Sequence, residues 1–176
     1  MTINFAERYT ATDCAYNFWL RPGDVPDMAV AERKGLNCVV LAHLVMKDLF
    51  GYTLPSDLRC TEMFLDSQHL TRSAHLDLSK LQQGDLLWFG VGRPDYVVDA
   101  FAPRYDETGH LLNWREFPIN HVGIHTGEFI NNDPLVLHSA AGENTTIWPL
   151  SSFAEIPRYQ KLWGVSRLAI REAGAA

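Results

Sequence analysis

The chain has 176 residues, of which 47% are hydrophobic and 20% charged, a size and balance that suit one packed domain and exclude a mainly disordered state. Fifteen Lys and Arg against 21 Asp and Glu leave a net charge of −6, which repels a phosphate backbone and argues against nucleic acid as a partner. No window holds the roughly twenty consecutive apolar residues of a membrane span, and residues 1–14 lack the basic-then-apolar profile of a secretory signal. The expectation is therefore a chain without a membrane span, either cytoplasmic or exported by a non-classical route. Cys14, Cys38 and Cys60 are an odd set with no CxxC pair, so at least one thiol is free, and no cofactor is expected.

Residues 1–35 form a mixed lead-in interrupted by turn chemistry at Arg21-Pro22-Gly23-Asp24 and Val25-Pro26-Asp27. The clearest helix follows. Leu41, Leu44, Val45 and Leu49 recur at helical spacing between Asn37, a suitable N-cap, and Gly51, a suitable C′ residue. A second helix is predicted over residues 55–70, opened by Pro55, Ser56 and Asp57, with Leu58, Met63, Phe64 and Leu65 toward the core. From about residue 84 the pattern changes to short apolar runs bounded by Gly, Pro, Asn and Asp. These predict strands at Asp85 to Phe89, His121 to Thr126, Leu135 to Ser139, Thr145 to Trp148 and Leu162 to Ile170. Helices first and strands second predict an α+β fold in which N-terminal helices pack on a mainly antiparallel sheet. Residues 90–119 are too long for an ordinary hairpin connection and read as an insertion, with a small hairpin of its own or as a flap.

Cys38 follows the predicted N-cap, so its sulfur sits on the first helical turn, where unpaired N–H groups and the helix dipole favour a thiolate. The alternative reading is a small buried hydrophobe. In the run His121-Val122-Gly123-Ile124-His125, alternation places both histidines on one face and Val122 and Ile124 on the other. A hairpin centred between Phe129 and Ile130 sets His121 directly opposite His138. The strong turn residues Asn131 to Pro134 lie off that centre, and a slip of one residue turns His138 to the other face. His125 is the reserve candidate, and a zinc site from His121, His125 and His138 is a lower-ranked alternative. His43, His69, His75 and His110 read as surface or satisfied residues. A helix-borne cysteine, a histidine on a following strand and a polar orienter on the next make a nucleophile, a base and its positioner, the parts needed for amide cleavage or acyl transfer.

The order of motifs resembles the NlpC/P60 superfamily of papain-like cysteine peptidases. The matching pieces are Gly35-Leu36-Asn37-Cys38 leading into an apolar helix that ends Gly51-Tyr52-Thr53-Leu54-Pro55, then Leu81 to Phe89, His121-Val122-Gly123-Ile124, Leu137-His138-Ser139 and Leu162 to Leu168. They span about residues 35 to 168. The resemblance implies one NlpC/P60-like catalytic domain over 1–176 with an insertion at about 90–119. It implies Cys38 as nucleophile, His121 as base and His138 as the orienting third residue. The implied substrate is a peptidoglycan stem peptide or fragment. The chain departs from the family's usual Asp-Cys-Ser-Gly by carrying Asn37-Cys38-Val39-Val40, and the family's aromatic segment shortly before the cysteine is not evident, its candidates Tyr16 and Trp19 lying farther upstream. Two alternatives remain at this level: an effector, acyltransferase or deamidase that uses the same nucleophile on a protein or small molecule, and a binding module without turnover.

Overall fold

The computed structural model describes residues 5–73, 76–93 and 102–169. Its framework is built by the alternating apolar residues of the chain from residue 70 onward. They form a six-stranded, fully antiparallel sheet from β1 (Leu70–Ser73), β2 (Leu86–Gly90), β3 (Ile119–Ile130), β4 (Asp133–Ala140), β5 (Asn144–Pro149) and β6 (Lys161–Leu168), in the spatial order β1-β6-β2-β3-β4-β5. Five helices accompany it among the described residues: α1 (Glu7–Thr10), α2 (Met28–Lys34), α3 (Cys38–Phe50), α4 (Cys60–Leu65) and α5 (Leu150–Phe153). The α+β class and the antiparallel sheet stand as expected. No described helix is long and apolar enough to cross a membrane.

Period-two alternation divides the sheet between two buried clusters. On one face, Leu86, Trp88, Val122, Ile124 and Leu137 share a cluster with Leu41, Leu44 and Val45 of α3 and with Met63 and Phe64 of α4. On the other, Leu87, Phe89, Val136, Ala140 and Val165 pack with Phe153 of α5 and with Tyr159, which lies in a 3-10 turn at Pro157–Tyr159.

α3 forms where the sequence predicts it. The Asn37 side-chain oxygen accepts the Val40 N–H at 2.9 Å, and Gly51 closes the helix in the left-handed region at φ 64°. The second predicted helix is much shorter than 55–70. Residues 55–58 form a turn closed by the Leu58 N–H on Pro55 O, and the helix runs only from Cys60 to Leu65. The Asp66 carboxylate then accepts the N–H groups of His69 and Leu70 at 2.8 and 3.0 Å, which turns the chain out of the helix and into β1. Of residues 90–119, read from the sequence as an insertion, 94–101 lie outside the described residues. The remainder carries a small antiparallel bridge, Tyr105 to Leu111, tied by Arg104 to Glu116 at 2.8 Å. The end of the last predicted strand, at Ile170, also lies outside the described residues.

The β3–β4 hairpin turns at Asn131-Asn132, not between Phe129 and Ile130. Both asparagines have positive φ, 51° and 64°, as a two-residue type I′ turn demands. The register then shifts between His125 and Phe129, so that Ile124 pairs with Leu137 and His125 with Val136. Extended by one residue, this register sets His138 across from Gly123. His121 and His138 are thus diagonal neighbours, not directly opposed. The displacement from the expected register is two residues, an even number, so both rings keep the same face.

Candidate active site

The β3–β4 ladder ends at Ile124–Leu137, before His121, Val122, His138 and Ser139. The N-terminus of α3 meets the sheet at this end. Its approach is fixed by Asn37, whose amide donates to Asn17 O at 3.1 Å and Leu20 O at 2.9 Å while its oxygen caps the helix. Just upstream, Tyr16 and Leu36 form a parallel bridge, with the Leu36 N–H on Ala15 O at 2.9 Å. Gly35 permits this: its φ is 95°, and a Cβ there would lie 2.4 Å from Ala15 O.

Cys38 is buried, 8% exposed, and belongs to the cluster on the α3 face of the sheet. The backbone N–H groups of Val122, Val39 and Cys38 itself act to lower the thiol pKa, but burial outweighs them and pushes it up. The helix start therefore does not deliver the resting thiolate that its position suggests, because the sulfur is too far from water. Val122 is the residue next to His121, so the sulfur lies against the strand that carries the histidine. Among the described residues no hydrogen bond links the thiol to the His121 ring.

His121 and His138 are joined directly, Nε2 of the first to Nδ1 of the second at 3.1 Å, with their planes nearly perpendicular. Both lie in an aromatic enclosure. Tyr159 stacks on the His121 ring at 4.3 Å between centroids and 22° between planes, and Trp148 and Phe153 lie 4.4 and 4.7 Å from the His138 ring. Burial pushes the His121 pKa well below the ordinary histidine value, helped by His138 and by the charge of Arg158. Burial alone brings His138 down to about 4. Both rings are neutral at pH 7. His138 Nε2 is buried without a hydrogen-bond partner. Aromatic faces attract an N–H and repel a lone pair, so this nitrogen is better protonated. The tautomers then follow: His138 Nδ1 accepts, His121 Nε2–H donates, and His121 Nδ1 is left as a free base.

His125 is not part of this arrangement. Its Nδ1 donates to Leu135 O at 3.2 Å, in the next stretch of the hairpin. Among the described residues no group of three or more His, Cys, Asp or Glu is placed to hold a metal ion. His43, read as satisfied, pairs with Leu58 O at 2.8 Å. Of the two aromatic candidates, Trp19 is exposed, whereas Tyr16 lies near enough to Cys38 and Tyr159 for their charges to help burial push its phenol up to about 12.

Sequence reasoning missed Tyr159. It sits in a single 3-10 turn with no periodic pattern to mark it, and the contact that seats this turn on β3, Asn120 Nδ2 to Arg158 O at 2.9 Å, joins residues 38 apart. No protein-family model matches the chain, and no curated protein matches it significantly.

Proposed function

We propose that this chain is a cysteine hydrolase of the papain-like NlpC/P60 kind that cleaves an amide bond, with a cell-wall stem peptide as substrate. The observation that supports it best is the His121–His138 hydrogen bond at the strand end where the Cys38 sulfur abuts Val122. With Nε2 engaged, His121 Nδ1 is the nitrogen that takes the thiol proton. The sulfur attacks the carbonyl carbon, and the Cys38 N–H at the start of α3 donates to the oxyanion. The imidazolium returns its proton to the leaving amine as the C–N bond breaks. Water, losing a proton to the same ring, then attacks the thioester carbon; the C–S bond breaks, the acid leaves, and the Cys38 thiolate recovers its proton from the imidazolium. Because thiol and imidazole are both neutral at rest, proton transfer accompanies attack and does not precede it.

Comparing native protein with Cys38→Ala for peptide release from purified cell wall tests this reading. Release by the native protein alone is expected, and equal activity in the two forms would reject it.

One observation favours the second reading, transfer or deamidation on a protein or small molecule. Asn37, where the family usually has an aspartate, spends both its amide hydrogens on backbone carbonyls and its oxygen on the helix cap. It carries no charge with which to hold the ammonium of a stem peptide. Mass analysis for a Cys38 adduct after incubation with stem peptides and with candidate protein substrates separates the two.

A further inference from the structure

We infer that Tyr159 is a positioning residue for the proposed base: its ring holds the His121 imidazole in plane and supports the positive charge that ring takes up during the reaction. This rests on the reading of His121 as the base.

Tyr159 is buried and stacked face to face on His121 at 4.3 Å, the closest of the ring contacts that imidazole makes. Phe89 and Phe153 lie at 6.2 Å and at steeper tilts, so they bound the enclosure without fixing the ring plane. Rotation about the Cβ–Cγ bond of His121 would break the Nε2 contact to His138. The stacked phenol stands against that rotation. The turn that carries Tyr159 is secured at both ends, by Tyr159 N–H on Ile156 O at 2.8 Å and by Asn120 on Arg158 O. Burial above all pushes the Tyr159 phenol up, with Cys38 and Cys60 adding to it and the charge of Arg158 opposing.

Once His121 accepts the thiol proton it is a cation in an apolar enclosure, with Arg158 adding repulsion and no carboxylate among the groups that shift it. A ring face in contact with that cation offsets part of the loss of water. Arg158 itself lies 4.9 Å from the Tyr159 centroid.

The test compares the rate at which iodoacetamide alkylates Cys38, between pH 5 and 9, in native protein, Tyr159→Phe, Tyr159→Leu and His121→Ala, with the adduct located by mass spectrometry. Tyr159→Leu should slow the neutral-pH rate about tenfold, the order expected for loss of a stacked cation–π contact, and Tyr159→Phe should restore it to within about twofold. A native rate in Tyr159→Leu, with His121→Ala slow, overturns the role of Tyr159 and leaves the proposed function standing. A loss in Tyr159→Phe as large as in Tyr159→Leu also overturns it, since the hydroxyl and not the ring face would then matter. A native rate in His121→Ala overturns the reading of the base, and the role of Tyr159 with it. One measurement needs no variant to fold: in native protein the ring C–H protons of His121 should resonate upfield, shielded by the stacked phenol, and unshielded shifts would overturn the inference.

Discussion

His138 lies with its imidazole between Trp148 and Phe153, and its pKa of about 4 makes it a stability element as well as a partner to His121. In the unfolded chain the same ring titrates near 6.5. Between these values the unfolded state binds the extra proton, so the stability this burial allows is complete above about pH 6.5 and is lost as pH falls toward 4. At pH 4.5 the loss amounts to about 2–3 kcal/mol for this one group. Urea unfolding at pH 7.5 and 4.5 should show His138→Gln retaining more of its own neutral-pH stability than the native chain does. Equal acid losses in both would mean that His138 is not held neutral by the fold. At this scale the sequence was informative wherever local geometry decides the outcome. Cys38 could be placed because Asn37 is a cap, and the two histidines because alternation assigns them a face. The protonation of Cys38 could not be read, since it depends on burial by distant residues, and Tyr159 could not be found, since only tertiary packing brings it to His121.

α3 begins at a residue that serves three partners, and this explains the asparagine at position 37. An aspartate there would keep the cap to Val40 but lose both donors and face the carbonyls of Asn17 and Leu20 with a carboxylate. Asn37→Asp should therefore destabilise the chain by about 1–3 kcal/mol, no less than Asn37→Ala, when urea midpoints are compared. Native stability in Asn37→Asp would show that the two amide bonds contribute nothing. α3 was legible from its cap, its apolar spacing and Gly51. The second helix was overextended because the Asp66 turn is made by a side chain that a helical pattern accommodates equally well. β1 went unnoticed for a similar reason: four residues beside β6 carry too little pattern to separate from a helix end. The hairpin was correct in face and wrong in register, because the two-residue displacement arises from a left-handed Asn131-Asn132 turn and a bulge through Gly127.

At the scale of the whole molecule, the sheet has one face packed on α3 and α4 and one aromatic face: Cys38 belongs to the first cluster, with Val122 N–H acting on its sulfur, and the His121–His138 pair lies among the aromatic rings of the second. The ends that matter are braced at a distance. Asp85, fully buried, receives both the Nε and Nη2 of Arg167 at 2.7 Å, and its carbonyl accepts the His125 N–H at 2.8 Å, which locks β2 to β6 and β3 below the site. The Leu81 to Phe89 segment was recognisable in sequence, but Arg167 as its partner was not, because the pair spans 82 positions. The α+β class and five of the six strands thus followed from local pattern, whereas the strand order and the pairs across it belong to the assembled sheet.

On the proposed reading, Cys38 and His121 act as one unit. The pH dependence of Cys38 alkylation, native against His121→Ala, tests it most directly. In the native chain the rate should rise as His121 becomes neutral, below the ordinary histidine pKa, and should be level by pH 7. Without the imidazole it should follow the raised pKa of a buried thiol and stay low until above about pH 9. Superimposable curves from the two proteins would contradict the account.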